Sequence, residues 1–584
     1  MTIKCPVENM VDSYKMGMNQ LHNHNMFEDS PTEVLMSYSN FTPRKNAYFT
    51  FSEHSDGKLI NFGQSHTMQY VHDMYEIFFN TPAEVVEDRL VVLLEAHYGG
   101  NAHREHGKFI ADVLNLHELA FLPIEFRCPD EGIRYPIGLP MFTLKNTVDG
   151  FGWLVNNLET LVSTLSWPMI NTATSVDQFY QQAKYYGEQS TPKEVLDAWL
   201  PISNHLFEYR GMFGPEHAAR SAACHAIPFI GSDTVPVIPF LQQYYGYKPK
   251  EDAPVCVSIR ATEHADITRL LSEFRYRGIT EDTECEVIKR LAETTTGMFG
   301  YVADSENYYR TISEYALRNK DTILSRKDGD NGLPAKWVWR PDSARLSPLE
   351  VICGLRVAST EYTTDGSTIE DIIHTAVADG CWEKPDVYQV DGKFYEVKVV
   401  YNSDGSVEGH NGYIEIDPLE VKGSLQILWE VFGGDVVDTL AGKMKLINSK
   451  VGLLYGEAIS QSLQKAIYER MIALGFSVSN LVIGKGSYSN LAGNTRDSFY
   501  MSFKQTFSLA KIDGEIVNLE QQKIPLGDVS KKSARGLLMV DEDFNLHQGV
   551  DEETEKQGIL TILYKNGTFH KSQTIFDIKE NYFK

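Results

Sequence analysis

The segment Lys336–Pro348 reads KWVWRPDSARLSP. Trp337, Val338 and Trp339 are apolar on both faces of any extended chain, the pattern of a strand covered on both sides in a parallel sheet. The run then stops on Arg340-Pro341-Asp342, where proline ends the ladder and a cation and an anion need water or a ligand. In parallel α/β architectures, ligands lie where chains leave the carboxyl ends of the strands. This one stretch therefore predicts both a class of fold and the place of a site.

Five other segments repeat the pattern of a short apolar run, a polar or glycine-bearing turn and then a helical stretch: IPFIGSD (227–233), VCVSIRATEH (255–264), MFGYVADSE (298–306), VGLLYGE (451–457) and NLVIGKGS (480–487). After VGLLYGE, the residues Leu463, Ile467, Met471 and Leu474 share one helical face, and Gly475 ends it. Alternating strands and helices imply a mostly parallel sheet with covered faces. The groups at the six strand ends are Asp233, Glu263-His264, Asp304, Arg340 with Asp342, Gly456-Glu457 and Gly484-Lys485-Gly486-Ser487. A single strand-end Asp reads first as a turn or helix cap. GKGS lacks the closing Gly-Lys-Ser/Thr of a Walker loop. Convergence of all six on one face is what points to chemistry.

The segment 386–416 alternates β-formers with DG and NG turns, the signature of antiparallel hairpins, and so reads as part of an insertion spanning about 365–435. TILYKNGTFHKSQTIF (561–576) predicts another hairpin around Asn566-Gly567. IEFRC and MFTLKNT read as strands and WLVNNLETLVSTLS (153–166) as an amphipathic helix. The expected architecture is α/β: a barrel-like parallel β/α core, a second mixed α+β domain built from the N- and C-terminal parts, and an antiparallel hairpin insertion. The expected boundaries are 1–175 for the N-terminal α+β part, 176–494 for the core containing the 365–435 insertion, and 495–584 for the C-terminal segment.

At 584 residues, with 42% hydrophobic and 23% charged residues, the composition is that of a soluble globular protein. The net charge of −25 argues against a general nucleic-acid binder. Local basic clusters, Arg496, Ser502 and Lys504 in one and SKKSAR (530–535) in the other, stand out in so acidic a chain as grips for an anion. The seven scattered cysteines contain no CxxC pair, so neither a zinc site nor a disulfide framework is indicated. No uncharged apolar run approaches the roughly 18 residues of a membrane span, and no signal-peptide pattern opens the sequence. A cytoplasmic protein without membrane or nucleic-acid partners is expected.

Taken together, DSYK (12–15), LPIEFRCPDEGIRYPIGLPMFTLKNT (122–147), FEYRG (207–211), GSDT (231–234), SIRATEHADIT (258–268), VADS (302–305), RPDS (340–343), GKGSYSNL (484–491) and TRDSFYMSFK (495–504) resemble the nicotinamide phosphoribosyltransferase family of type II phosphoribosyltransferases. The spacing from Arg210 to Asp233 agrees with the family's. The resemblance implies transfer of phosphoribosyl from phosphoribosyl pyrophosphate to nicotinamide in NAD salvage, in a homodimer with shared sites, with Mg²⁺ on the pyrophosphate and ATP as a co-substrate.

By the same resemblance, Tyr14 and Phe207 sandwich the pyridine ring, Tyr14 reaching across a dimer interface. Asp233 accepts from the carboxamide, with Ser258 in the same pocket. Arg210 and Arg340 flank base and phosphates. Asp342 binds ribose hydroxyls and supports the Mg-pyrophosphate, with Asp304, Gly456 and Glu457 on that side. Gly486 and Ser487 cradle the 5′-phosphate, with Arg44, Arg496, Ser502, Lys504 and Lys531 supplying further contacts. His264 matches the histidine that ATP phosphorylates; with Arg340 and Asp342 it completes the expected catalytic set. The chain departs from the family at Glu457 (Asp there), Gly300 (Ser), Ala344 (Gly) and Ser487 (Gly), and has one extra residue between Gly484 and Arg496. A nicotinate-specific relative and a non-catalytic nucleotide or partner binder are the alternatives; the like charges of Asp233 and a nicotinate carboxylate disfavour the first.

Overall fold

The computed structural model describes residues 5–23, 32–330, 332–341, 345–379, 385–404, 406–524, 526–527 and 532–584. Its centre is a parallel sheet in the order Asn204–Leu206, Leu481–Lys485, Val451–Tyr455, Lys336–Arg340, Met298–Val302, Arg260–Ala261. Two isolated parallel bridges, Leu206↔Ser232 and Gly231↔Val257, carry the pairing past one edge. Val257 leads directly into Arg260–Ala261, which forms the other edge. The sheet therefore curls back on itself, as expected for a barrel-like core.

Its filling explains the quoted segment. Trp337 and Trp339 are fully buried, and Trp337 stacks on Tyr301 of the neighbouring strand at 5.5 Å between ring centroids. Trp339 also meets Phe432 of the helix Pro418–Phe432, so that helix packs into the barrel core. Two of the expected strands are shorter than their apolar runs. IPFIGSD pairs only at 231–232, because His225 and Phe229 stack in a turn after the helix Pro215–His225. VCVSIR pairs only at Val257 and Arg260–Ala261.

A seven-stranded antiparallel sheet joins both chain ends: Glu515–Glu520, Ser502–Ile512, Thr32–Thr42, Phe142–Asn146, Ile124–Cys128, Thr561–Lys565, Thr568–Phe569. The Asn566-Gly567 hairpin is present, with positive φ at both residues (48° and 83°), as a two-residue turn requires. The 153–166 helix is much longer than its sequence pattern: it runs Gly152–Ser190, through Pro168. Its middle lacks amphipathicity because it is buried on most sides, contributing to three core clusters in turn. Pro168 forfeits one intrahelical hydrogen bond, which that burial outweighs. Asp177 on this helix is fully buried and accepts from Arg134 and from the Tyr582 hydroxyl, both at 2.6 Å, fastening the C-terminal helix to it.

The hairpin region forms a four-stranded sheet, Val357–Tyr362, Val387–Val390, Lys393–Tyr401 and Val407–Ile416, with its own small core under the helix Ile369–Asp379.

Two glycines set the spacing of the barrel rim. A Cβ on Gly456 would overlap the backbone of Gly484, and one on Gly484 would lie 3.3 Å from the Phe207 ring. Gly456→Ala is thus expected to lower the Tm by at least about 5 °C or to abolish soluble expression. A Tm within about 1 °C of the parent would contradict this packing.

Candidate functional site

All the parallel strands end on one rim. Phe207 follows Asn204–Leu206, Asp233 follows the 231–232 bridge, and Ser258 follows Val257. His264 opens the helix after Arg260–Ala261, Asp304 follows Met298–Val302, and Arg340 closes its own strand. Gly456-Glu457 and Gly486-Ser487 follow the last two strands. Backbone bonds lock neighbouring ends together: Asp233 N donates to Leu206 O at 2.9 Å, Phe207 N to Lys485 O at 2.7 Å, and Ala303 N to Arg340 O at 3.0 Å.

Asp233 is the focus of the base side. His205 Nε2 donates to its Oδ1 at 2.9 Å, the Ser258 hydroxyl donates to it, and Arg340 stands nearby. Partial burial alone would raise its pKa, but the His205 and Ser258 hydrogen bonds and the Arg340 charge outweigh that and hold it below its ordinary 3.8. His205 also lies 4.6 Å from the Phe207 ring, so one side chain holds the carboxylate and packs the aromatic wall. His205 was absent from the sequence-derived set. The signal was present: His205 and Phe207 alternate along a strand that ends at the rim.

Further along the rim, His264 Nε2 hydrogen-bonds Asp304 Oδ1 at 3.1 Å. The histidine is 37% exposed and the Asp304 side chain only 3%. A carboxylate accepting from Nε2–H fixes the tautomer whose lone pair lies on Nδ1. Glu457 is exposed and reaches the Tyr455 hydroxyl at 3.4 Å. Gly300 pairs with Ala261, and a Cβ there would lie 3.1 Å from the Ala261 Cβ, so the glycine matches the close approach of its neighbour. Arg210 is exposed just beyond Phe207. Asp342 and Lys531 lie outside the described residues, as does Ala344.

A second group of expected residues lies elsewhere, on the seven-stranded sheet. Arg44, Ser502, Lys504 and Lys532 line a cavity of about 300 Å³ whose lining, among the described residues, includes no carboxylate and none of the rim residues. Ser502 Oγ is buried there without a hydrogen-bond partner among the described residues. Arg44 Nε donates to Tyr500 O at 3.1 Å. Burial, with Arg44, Lys523 and Arg496 nearby, pushes the Lys504 ammonium pKa down against the pull of Glu159. Tyr14 is 63% exposed and within electrostatic reach of Arg496, itself 58% exposed. Tyr14, Arg44, Arg496, Ser502 and Lys504 thus form one cluster. Phe207, Asp233, Ser258, Arg340 and the two glycine turns form another.

No family model matches the chain. A protein named nicotinamide phosphoribosyltransferase from Acinetobacter baylyi is 29% identical over 583 residues, covering 98% of this chain and 96% of that protein. Proteins of the same name from Xanthomonas campestris pv. campestris and Mycoplasma pneumoniae are each 24% identical, the first covering 72% of this chain and 69% of its own length, the second 78% and 79%. Among solved structures, nicotinate-nucleotide pyrophosphorylase from Pyrococcus furiosus aligns with a TM-score of 0.45 and 11% identity, covering 100% of this chain and 96% of that one. Human nicotinic acid phosphoribosyltransferase aligns at 0.41 and 11%, covering 98% and 91%. Both scores are below 0.5, and the fold assignment rests on the strand order. The resemblance carried by the motifs extends as sequence similarity over nearly the whole chain.

A carboxylate with a depressed pKa contributes stability above its unfolded value and loses it as pH falls through the folded value. The stability difference between the parent and Asp233→Asn is therefore expected to shrink on acidification below 3.8. Carboxyl ¹³C titration of Asp233 should give a midpoint below 3.8, moving upward in His205→Ala. A midpoint at or above 3.8 in the parent would contradict the described contacts.

Proposed function

We propose that this chain is a phosphoribosyltransferase that joins nicotinamide to the ribose of phosphoribosyl pyrophosphate, releasing pyrophosphate in NAD salvage. The observation that carries the choice of base is Asp233, held anionic beside an aromatic wall. An anionic acceptor favours the NH₂ of a carboxamide and repels the carboxylate of nicotinate. The whole-chain similarity to proteins named nicotinamide phosphoribosyltransferase supports the reaction class.

The chemistry asks little covalent help of the protein. The pyridine nitrogen attacks C1 of the ribose while the C1–O bond to pyrophosphate breaks, with positive charge developing on the ring and negative charge on the leaving group. Catalysis is then positioning and electrostatics. Phe207 stacks on the base, Asp233 with His205 and Ser258 fixes its amide, and Arg340 meets the departing charge. Asp304 and Glu457 are the described rim carboxylates that would face ribose hydroxyls and a Mg²⁺ carried on pyrophosphate, the role also expected of Asp342. Mg²⁺ would neutralise pyrophosphate charge. His264, oriented by Asp304, is the group that ATP would phosphorylate.

We further infer a homodimer in which the Tyr14–Arg496–Lys504 cluster of one copy completes the barrel rim of the other. Each cluster alone holds half the required contacts. Large apolar side chains next to the rim residues in sequence stand open to solvent, Phe213 at 85% and Val235 at 60% exposed, as a surface awaiting a second copy would have them.

The purified protein should form nicotinamide mononucleotide from nicotinamide, phosphoribosyl pyrophosphate and Mg²⁺, faster with ATP. Asp233→Asn should lower kcat/KM for nicotinamide by about 10- to 100-fold, the loss of a charged hydrogen bond. Preference for nicotinate in the parent, measured by chromatography of the products, would overturn the base assignment.

A further inference from the structure

Within the two turns that border the rim lies a charge network buried from solvent. Glu208 stands between Phe207 and Arg210, and Lys485 stands just before Gly486-Ser487. Lys485 is 0% exposed, and Glu208 and Asn490 are 1% exposed each. Asn490 bridges them: its Nδ2 donates to Glu208 Oε2 at 2.7 Å and its Oδ1 accepts from Lys485 Nζ at 3.4 Å. Ser221 joins through the Asn490 amide at 3.3 Å and hydrogen-bonds Glu208. Lys485 Nζ also sits 3.9 Å from the centroid of the Phe179 ring on the long helix, a cation–π contact.

Such a network is a poor way to gain stability. Burial pushes the Glu208 carboxyl pKa up and the Lys485 ammonium pKa down, each group drawn back toward its charged form by the other's charge. Replacing a buried ion pair by apolar residues of similar volume is often neutral or stabilising, whereas removing one partner strands a charge. Here the pair instead couples two pieces of backbone. The turn 207–211 and the turn 484–491 already touch: Phe207 N donates to Lys485 O, and a Cβ on Gly211 would overlap Ser487 Oγ. Glu208 belongs to the first turn, and Lys485 and Asn490 to the second.

We propose that Glu208, Asn490 and Lys485 are positioning residues that set the separation of the Phe207 ring from the Gly486-Ser487 turn. The proposal rests on the reading that Phe207 receives the base and Gly486-Ser487 the 5′-phosphate of the same substrate pair. The network then acts as an internal gauge: it fixes the span between base and phosphate contacts without meeting either. Misplacement by about 1 Å at a site whose catalysis is positional costs roughly 100-fold in rate.

The test uses the full-length protein and the double variant Glu208→Gln/Lys485→Met, which removes both charges at nearly constant volume. The expected result is a Tm close to the parent with kcat lower by about 10- to 100-fold and the KM for nicotinamide changed less than about 3-fold. Crystal structures of the two should differ in the Phe207-to-Ser487 separation by about 0.5 Å or more. A merely structural network predicts that kcat stays near the parent's when Tm does and that the separation is unchanged, and either result overturns the proposal. If the double variant does not fold, Asn490→Ser, which shortens the bridge and keeps both charges, carries the same two readouts. A parent that forms no nicotinamide mononucleotide would overturn the functional reading, while the separation measured crystallographically still decides the positioning role.

Discussion

Gly456 and Gly484 end adjacent parallel strands, and their backbones approach so closely that no side chain fits between them. Phe207 lies over Gly484, and its own N–H is tied to Lys485. From this contact the rim takes its shape. The strand before Phe207 holds Asp233 through the Leu206 carbonyl, and the 231–232 bridge carries the pairing on to Val257 and Ser258. The chemistry-bearing groups are thus placed by backbone hydrogen bonds of a curled parallel sheet, and their side chains need only modest further fixing.

That fixing is electrostatic, and it runs against the chain's overall charge. In a protein of net charge −25, some cations nonetheless gather in small local groups. Arg340 helps hold Asp233 ionised, while Arg44 and Arg496 lie near Lys504, beside a cavity with no carboxylate among the described lining residues.

Much of this was legible from residue patterns. The apolar runs ending in charge at Arg340, Asp304 and Glu457 identified three rim strands and the face they share, because a doubly covered strand leaves its chemistry only at its end. The Asn566-Gly567 hairpin followed from turn stereochemistry alone. Less legible were the short pairings at 231–232 and 260–261, where sharp curling interrupts the ladder while the flanking apolar residues still serve the core. The continuation of the helix to Ser190 was hidden because burial on most sides erases amphipathic periodicity. The Glu208–Asn490–Lys485 network could not be read from local pattern, since its members are distant in the chain and meet only through the fold. His205 could have been found from its alternation with Phe207.

The central claim is that the barrel rim and the basic cluster on the terminal sheet are halves of one site contributed by two copies. Mixing Asp233→Ala with Arg496→Ala, each expected to be strongly impaired by itself, and refolding or co-expressing them tests it directly. The account predicts return of nicotinamide mononucleotide formation to about a quarter of the parental rate, since half of randomly paired dimers carry one intact site. Activity that stays at the level of the separate variants would contradict it.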